Sequence, residues 1–205
     1  MPQFQLDTSG KAYKTVSDTT LEAVYWGHLD PFTQGYIEAL FFTSEEQLCE
    51  ESDGARHMPD VAINTATMES HFVGGDSFGF SDLAPCALAS IIADCEAFQR
   101  DNAETLAEAY TRDYDAEQAG RDYWFTRNGH GVGFWDRDAL EPDSAEYEEA
   151  TAAVIAARDD NKAWGRAVDA RNALKAESLG ERLSAACRYS EVSPYLGDDG
   201  KVYLS

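Results

Sequence analysis

Lysine is scarce in this chain: five lysines and 11 arginines stand against 38 Asp and Glu in 205 residues, a formal net charge of -22. So few cations exclude a surface that holds nucleic acid or an anionic membrane by its own charge. Cysteine is also sparse. Cys49, Cys86, Cys95 and Cys187 form no CxxC pair and no Cys/His spacing typical of zinc, so neither a disulfide framework nor a structural metal is expected, and the thiols read as reduced and mostly buried. No apolar run reaches the length of a membrane span, and the opening MPQFQLDTSGKAYK lacks the charged-then-apolar order of a signal peptide. The expectation is a protein of the cytoplasm, with no membrane contact and no cofactor.

What is present is enough apolar matter for a real core, 43% hydrophobic and 12% aromatic residues, and the length favours one α+β domain over residues 1–205. After the segment AYKTVSDTTLEAVYW, the stretch PFTQGYIEALFFT puts Tyr36, Ile37, Leu40 and Phe41 on one stripe of a helix that starts at Pro31, with Glu38 on the other side. From Glu45 to Phe80 the sequence turns irregular, first acidic (EEQLCEESD) and then glycine-bearing (VGGDSFGF), and reads as a surface excursion with short strands. A second helix follows. Ser81 or Asp82 caps it, Pro85 sits in its first turn, and Leu88, Ile91, Ile92, Cys95 and Phe98 form its buried stripe, which Leu106 and Tyr110 extend after a bend near Asp101.

The densest aromatic stretch is RDYWFTRNGHGVGFWDR, residues 121–137. With Asn128-Gly129 as a type I′ turn it predicts a β-hairpin that pairs Arg127 with His130, Phe125 with Val132 and Tyr123 with Phe134, leaving a polar tip of Arg127, Asn128 and His130. A second hairpin is predicted at PYLGDDGKVYLS, where a turn at Asp199-Gly200 sets Leu196 opposite Tyr203. Together they make a small antiparallel sheet. The alanine-rich segment between them predicts two or three helices, capped by Asp143 or Ser144, broken near 159–165 and again near Gly180. The last of these, apolar at Leu179, Leu183, Ala186 and Cys187, would cover the sheet.

No Ser or Cys nucleophile, acid pair or metal spacing stands out. His28, His57 and His71 are scattered, and GHLD at 27–30 is too little for a metal site. The carboxylates therefore carry the functional argument. Solubility and adaptation to high salt both account for an Asp-rich, Lys-poor surface; a third account is that arrayed carboxylates stand in for phosphates in the basic groove of another protein. The candidate face for such contacts comprises Asp94, Asp101, Glu104, Glu108, Asp113, Asp115 and Glu117, followed by Glu141, Asp143, Glu146, Glu148 and Glu149.

FTQGYIEALFFT, ADCEAFQRDN, AGRDYWFTRNGHGVGFWDR and YLGDDGKVYL, in this order, resemble a family of small uncharacterised proteins encoded by phages, prophages and plasmids. The resemblance spans about half of the chain, and residues 138–176 stand outside it as a helical insertion. It carries no established activity and no catalytic residues. What it implies is a setting: a strongly acidic protein of a mobile element is similar in kind to anti-restriction and anti-CRISPR inhibitors that imitate nucleic acid. The expected partner is then a host nucleic-acid-binding defence protein, a CRISPR effector or restriction enzyme, with no direct contact to nucleic acid; a homodimer stays open. The alternative is a small hydrolase or nucleotide-modifying enzyme that uses His130 and nearby carboxylates.

Overall fold

The computed structural model describes residues 6–57, 60–63, 70–73, 76–187 and 191–205, with 60–63 and 70–73 as backbone. It is an α+β protein. The chain divides into two compact units, one made of residues 1–97 with 191–205 and the other of 98–190.

The first unit opens with a hairpin, β1 (Ala12–Ser17) and β2 (Thr20–Val24), that pairs Ala12 with Val24 and Thr15 with Leu21. Sequence reasoning left this segment without strands, although Ser17 to Thr20 supplies the polar turn. Helix α1 (Pro31–Glu51) begins as expected at Pro31, with the Asp30 carboxylate accepting from the Thr33 amide at 3.1 Å. It buries Phe32, Tyr36, Ile37, Leu40 and Phe41. The helix then runs on through EEQLCEE, where an irregular stretch was expected, because Ser44, Glu45 and Leu48 continue the buried stripe at helical spacing. Strands β3 (Asp60–Ile63) and β4 (Ser70–Val73) pair antiparallel; Gly74 and Gly75 of the glycine-bearing stretch lie outside the described residues. A 3-10 turn at Phe80–Asp82 precedes α2 (Pro85–Asp101), and the division between the units falls inside this helix.

The C-terminal hairpin exists as β5 (Pro194–Leu196) and β6 (Val202–Leu204), but its register is one residue away from the expected one: Tyr195, not Leu196, lies opposite Tyr203. The loop has three residues rather than two. Gly197 N donates to the Lys201 carbonyl at 2.8 Å, Gly200 N donates to the Gly197 carbonyl at 2.9 Å, and Gly200 takes φ of 73°, the left-handed residue that closes such a loop. One added loop residue turns every following side chain to the opposite face.

The second unit holds the largest correction. Residues 121–137 are not a hairpin. Helix α4 (Ala116–Arg127) takes the first half, capped by the Asp115 carboxylate on the Gln118 amide at 2.7 Å, and buries Ala119, Gly120, Tyr123 and Trp124. Asn128-Gly129 ends this helix instead of turning a strand. Gly129 sits at φ 68°, its N–H donates to the Thr126 carbonyl at 3.4 Å, and the His130 N–H donates to the Phe125 carbonyl at 3.1 Å, which is the Schellman pattern of helix termination. The polar tip is therefore a helix C-terminus, with Arg127 buried in its last turn, Asn128 as the C-cap and His130 exposed just beyond. The second half folds back as a 3-10 turn, Phe134–Asp136, tied to the helix where Phe134 N donates to Thr126 Oγ1 at 3.1 Å.

The remaining helices are α3 (Ala103–Ala109), α5 (Ala145–Ala156), α6 (Asn161–Lys175) and α7 (Leu179–Ala186). The bend near Asp101 is the gap at Asn102 between α2 and α3, and Ser144 caps α5 as expected. The second break falls at 176–178, ahead of Gly180, which lies inside α7. Helix α7 covers no sheet: it packs on the 3-10 turn at Phe134–Asp136, so closely that a Cβ on Gly180 would stand 2.6 Å from the Phe134 carbonyl oxygen. Around this point Phe98 stacks on Tyr123 at 4.2 Å and on Phe134 at 5.8 Å between centroids.

Candidate functional site

The aromatic motif is tied into the fold by a buried polar cluster. Asp122, fully buried in α4, accepts from Arg137 Nε at 2.8 Å, from the Tyr114 hydroxyl at 2.8 Å and from Gln118 Nε2 at 3.1 Å. Desolvation and the neighbouring Asp122 charge push the Tyr114 phenol far above its ordinary value, which keeps it a neutral donor. The cluster is saturated. It locks the return segment to α4 by joining residues 15 apart in sequence. Cys187, buried in the same unit, has its thiol pushed up to about 12, chiefly by burial, which marks it as inert packing rather than a nucleophile. Trp124 is the buried tryptophan of the motif and Trp135 the exposed one, and the His130 ring stands 6.2 Å from Trp124 and 6.0 Å from Phe125 between centroids.

The carboxylates read as one face stand on several elements, and several of them are ion-paired. Asp94 lies on α2. Asp101 pairs with Arg100 at 3.0 Å, Glu108 with Arg112 at 2.9 Å, Glu117 with Arg121, and Glu141 with Lys175 at 3.1 Å. Asp115 serves as the α4 cap, Asp113 occupies a left-handed turn at φ 54°, and Glu104 is exposed on α3. In α5, Glu146 and Glu148 lie in the first turn, where the helix dipole favours them, and Glu149 follows exposed. Of these carboxylates, the structure brings Glu141, Asp143 and Glu148 together, along one groove of the second unit.

Charge itself is distributed unevenly. The first unit carries 19 Asp and Glu against four Lys and Arg, net -15, whereas the second carries 19 against 12, net -7. All four cations of the first unit are engaged. Lys14 pairs with Glu22 at 3.4 Å, Arg56 bridges Asp76 at 2.8 Å and Asp82 at 3.0 Å, Lys11 lies over the Tyr13 ring, and Lys201 donates to the Ser81 carbonyl at 2.8 Å. At the end of α1, Glu46, Glu50 and, just past the last turn, Asp53 are exposed, with no basic residue in that turn. Sequence reasoning missed this row by reading EEQLCEESD as irregular; the signal available was Leu48, seven residues after Phe41 on the same stripe.

Among the described residues no His, Cys, Asp and Glu group is arranged to hold a metal ion, and no helix is long and apolar enough to cross a membrane. No family model, curated protein or solved structure matches this chain.

Proposed function

We propose that this protein is an acidic inhibitor that seats its first unit in the basic nucleic-acid groove of another protein, in the cytoplasm of a host cell. The observation that supports it is the surplus of 19 carboxylates over four engaged cations in that unit. The exposed row at the end of α1 strengthens the reading, because stability does not account for it. Glu46 and Glu50 are like charges one turn apart, and both face the negative end of the helix dipole. Residues that break a local rule without a structural return belong most often to contacts with a partner. The resemblance to mobile-element proteins supplies the partner class, a CRISPR effector or restriction enzyme whose groove is built for phosphates.

The test begins with capture from a lysate that contains such systems, followed by a salt titration of the purified pair. Displacement of condensed ions makes binding in a phosphate groove fall steeply with salt. The triple variant Glu46→Gln, Glu50→Gln, Asp53→Asn should bind more weakly and with a flatter salt dependence, and competing duplex DNA should displace the parent protein. Unchanged affinity and slope in the triple variant would remove the proposal.

A further inference from the structure

The second unit carries a groove of about 740 Å³ that the inhibitor reading does not use. Its volume lies within the range of small-molecule ligand sites. One wall is the stripe Glu148, Thr151, Ala152 and Ile155 of α5, spaced i, i+3, i+4 and i+7, and facing it stand Asp138, Pro142 and Asp143. Arg112 also lines the groove, but its guanidinium donates to Glu108 at 2.9 Å and to the Glu141 carbonyl at 3.1 Å. The Glu141 carboxylate is held by Lys175. Asp138, Asp143 and Glu148 have no Lys or Arg partner among the described residues, so the groove holds uncompensated negative charge, with Asp143 and Glu148 at the start of α5. Further along α5 the wall is aliphatic: Ile155 is 65% exposed, and Ala152 lies one turn from Glu148.

We infer that this groove is a docking site for a basic peptide segment anchored by an aliphatic side chain. Seven residues of α5 separate Glu148 from Ile155, a rise of about 10 Å. An extended peptide covers that distance in about three residues, so an arginine and a leucine at i and i+3 reach Glu148 and Ile155 together. Charge complementarity selects the cation, and the exposed isoleucine selects the aliphatic anchor. The inference does not depend on the reading of the first unit.

The probe is a fluorescein-labelled peptide, Gly-Arg-Arg-Ser-Ala-Leu-Gly-Ser, titrated with the full chain by fluorescence anisotropy. Asp143→Asn with Glu148→Gln should weaken binding at least tenfold with the fold retained and the melting temperature lowered only slightly by loss of a first-turn carboxylate, since both side chains are exposed. Ile155→Ser should weaken it several-fold, and the α1 triple variant should bind the peptide like the parent. Three results each overturn the inference: equal binding by the groove double variant; loss of binding in the α1 variant, which would mean that the peptide reads overall charge; or displacement by spermine with no sensitivity to Ile155→Ser, which would make the site a polyamine trap.

Discussion

Removing the Asp122 carboxylate tests whether the aromatic motif is scaffold. In Asp122→Ala, Arg137 loses its three hydrogen bonds to the carboxylate and the Tyr114 hydroxyl loses its acceptor inside the fold. Breaking a buried ion pair by deleting one partner costs ~3–5 kcal/mol. The Arg137 side chain is 30% exposed, so water recovers part of its solvation, and the lower end, about 3 kcal/mol, is the expected loss. For a chain of this length that lowers the melting temperature by ~6–12 °C. The assay is thermal unfolding followed by the fluorescence of Trp124, itself buried on the same helix. Arg137→Met leaves a fully buried carboxylate without its cation and should cost a similar amount. The double variant should lose clearly less than the sum, because each single change already dissolves the pair. A drop of less than about 2 °C in Asp122→Ala, or strict additivity in the double variant, would refute the reasoning.

Three further outcomes follow from the same geometry. Gly129→Ala forces a side chain into the left-handed cap, with no neighbour within 4 Å to clash, and should cost ~1 kcal/mol in urea unfolding, the cost of strain alone. Gly180→Ala should destabilise by ~1–3 kcal/mol although alanine is the better helix former, since its Cβ would meet the Phe134 carbonyl; a gain in melting temperature would disprove the close approach. Burial raises the Glu45 carboxyl above its ordinary value, with the Ser77 hydroxyl opposing, so the stability linked to its proton is present in acid and lost as pH rises through the raised value. Glu45→Gln should therefore melt higher than the parent at neutral pH, with the gap closing towards about pH 4, and a gap independent of pH would contradict the burial argument.

The helices announced themselves by a start signal or a stripe: Pro31 with Tyr36 to Phe41 for α1, Ser144 for α5, and Leu88 to Phe98 for α2, which begins at Pro85 and not at Ser81 or Asp82. Residues 121–137 misled because Asn-Gly is equally at home in a type I′ turn and beyond a helix C-terminus, both of which need a residue at positive φ. The deciding signal lay upstream, in Asp115 with Gln118 three residues on, the mark of a helix start that a reading begun at Arg121 never reaches. The acidic face was legible only in part, for another reason. Each carboxylate was counted by itself, and pairings such as Glu141 with Lys175, 34 residues apart, exist only once the chain has folded. Glu141, Asp143 and Glu148 were legible as acidic, but the groove that unites them also needs Asp138 and the bare Ile155, neither of which a charge count selects.

The first unit is built from both ends of the chain, since residues 191–205 return to it after the whole of the second unit has been made. Within it the Ala84 amide donates to the Val202 carbonyl at 2.8 Å, and the Leu196 amide to Glu51 at 2.8 Å. On a ribosome, then, the sequence that is synthesised first is the one that finishes folding last. The N-terminal unit waits for its closing strands until the whole of 98–190 has been synthesised.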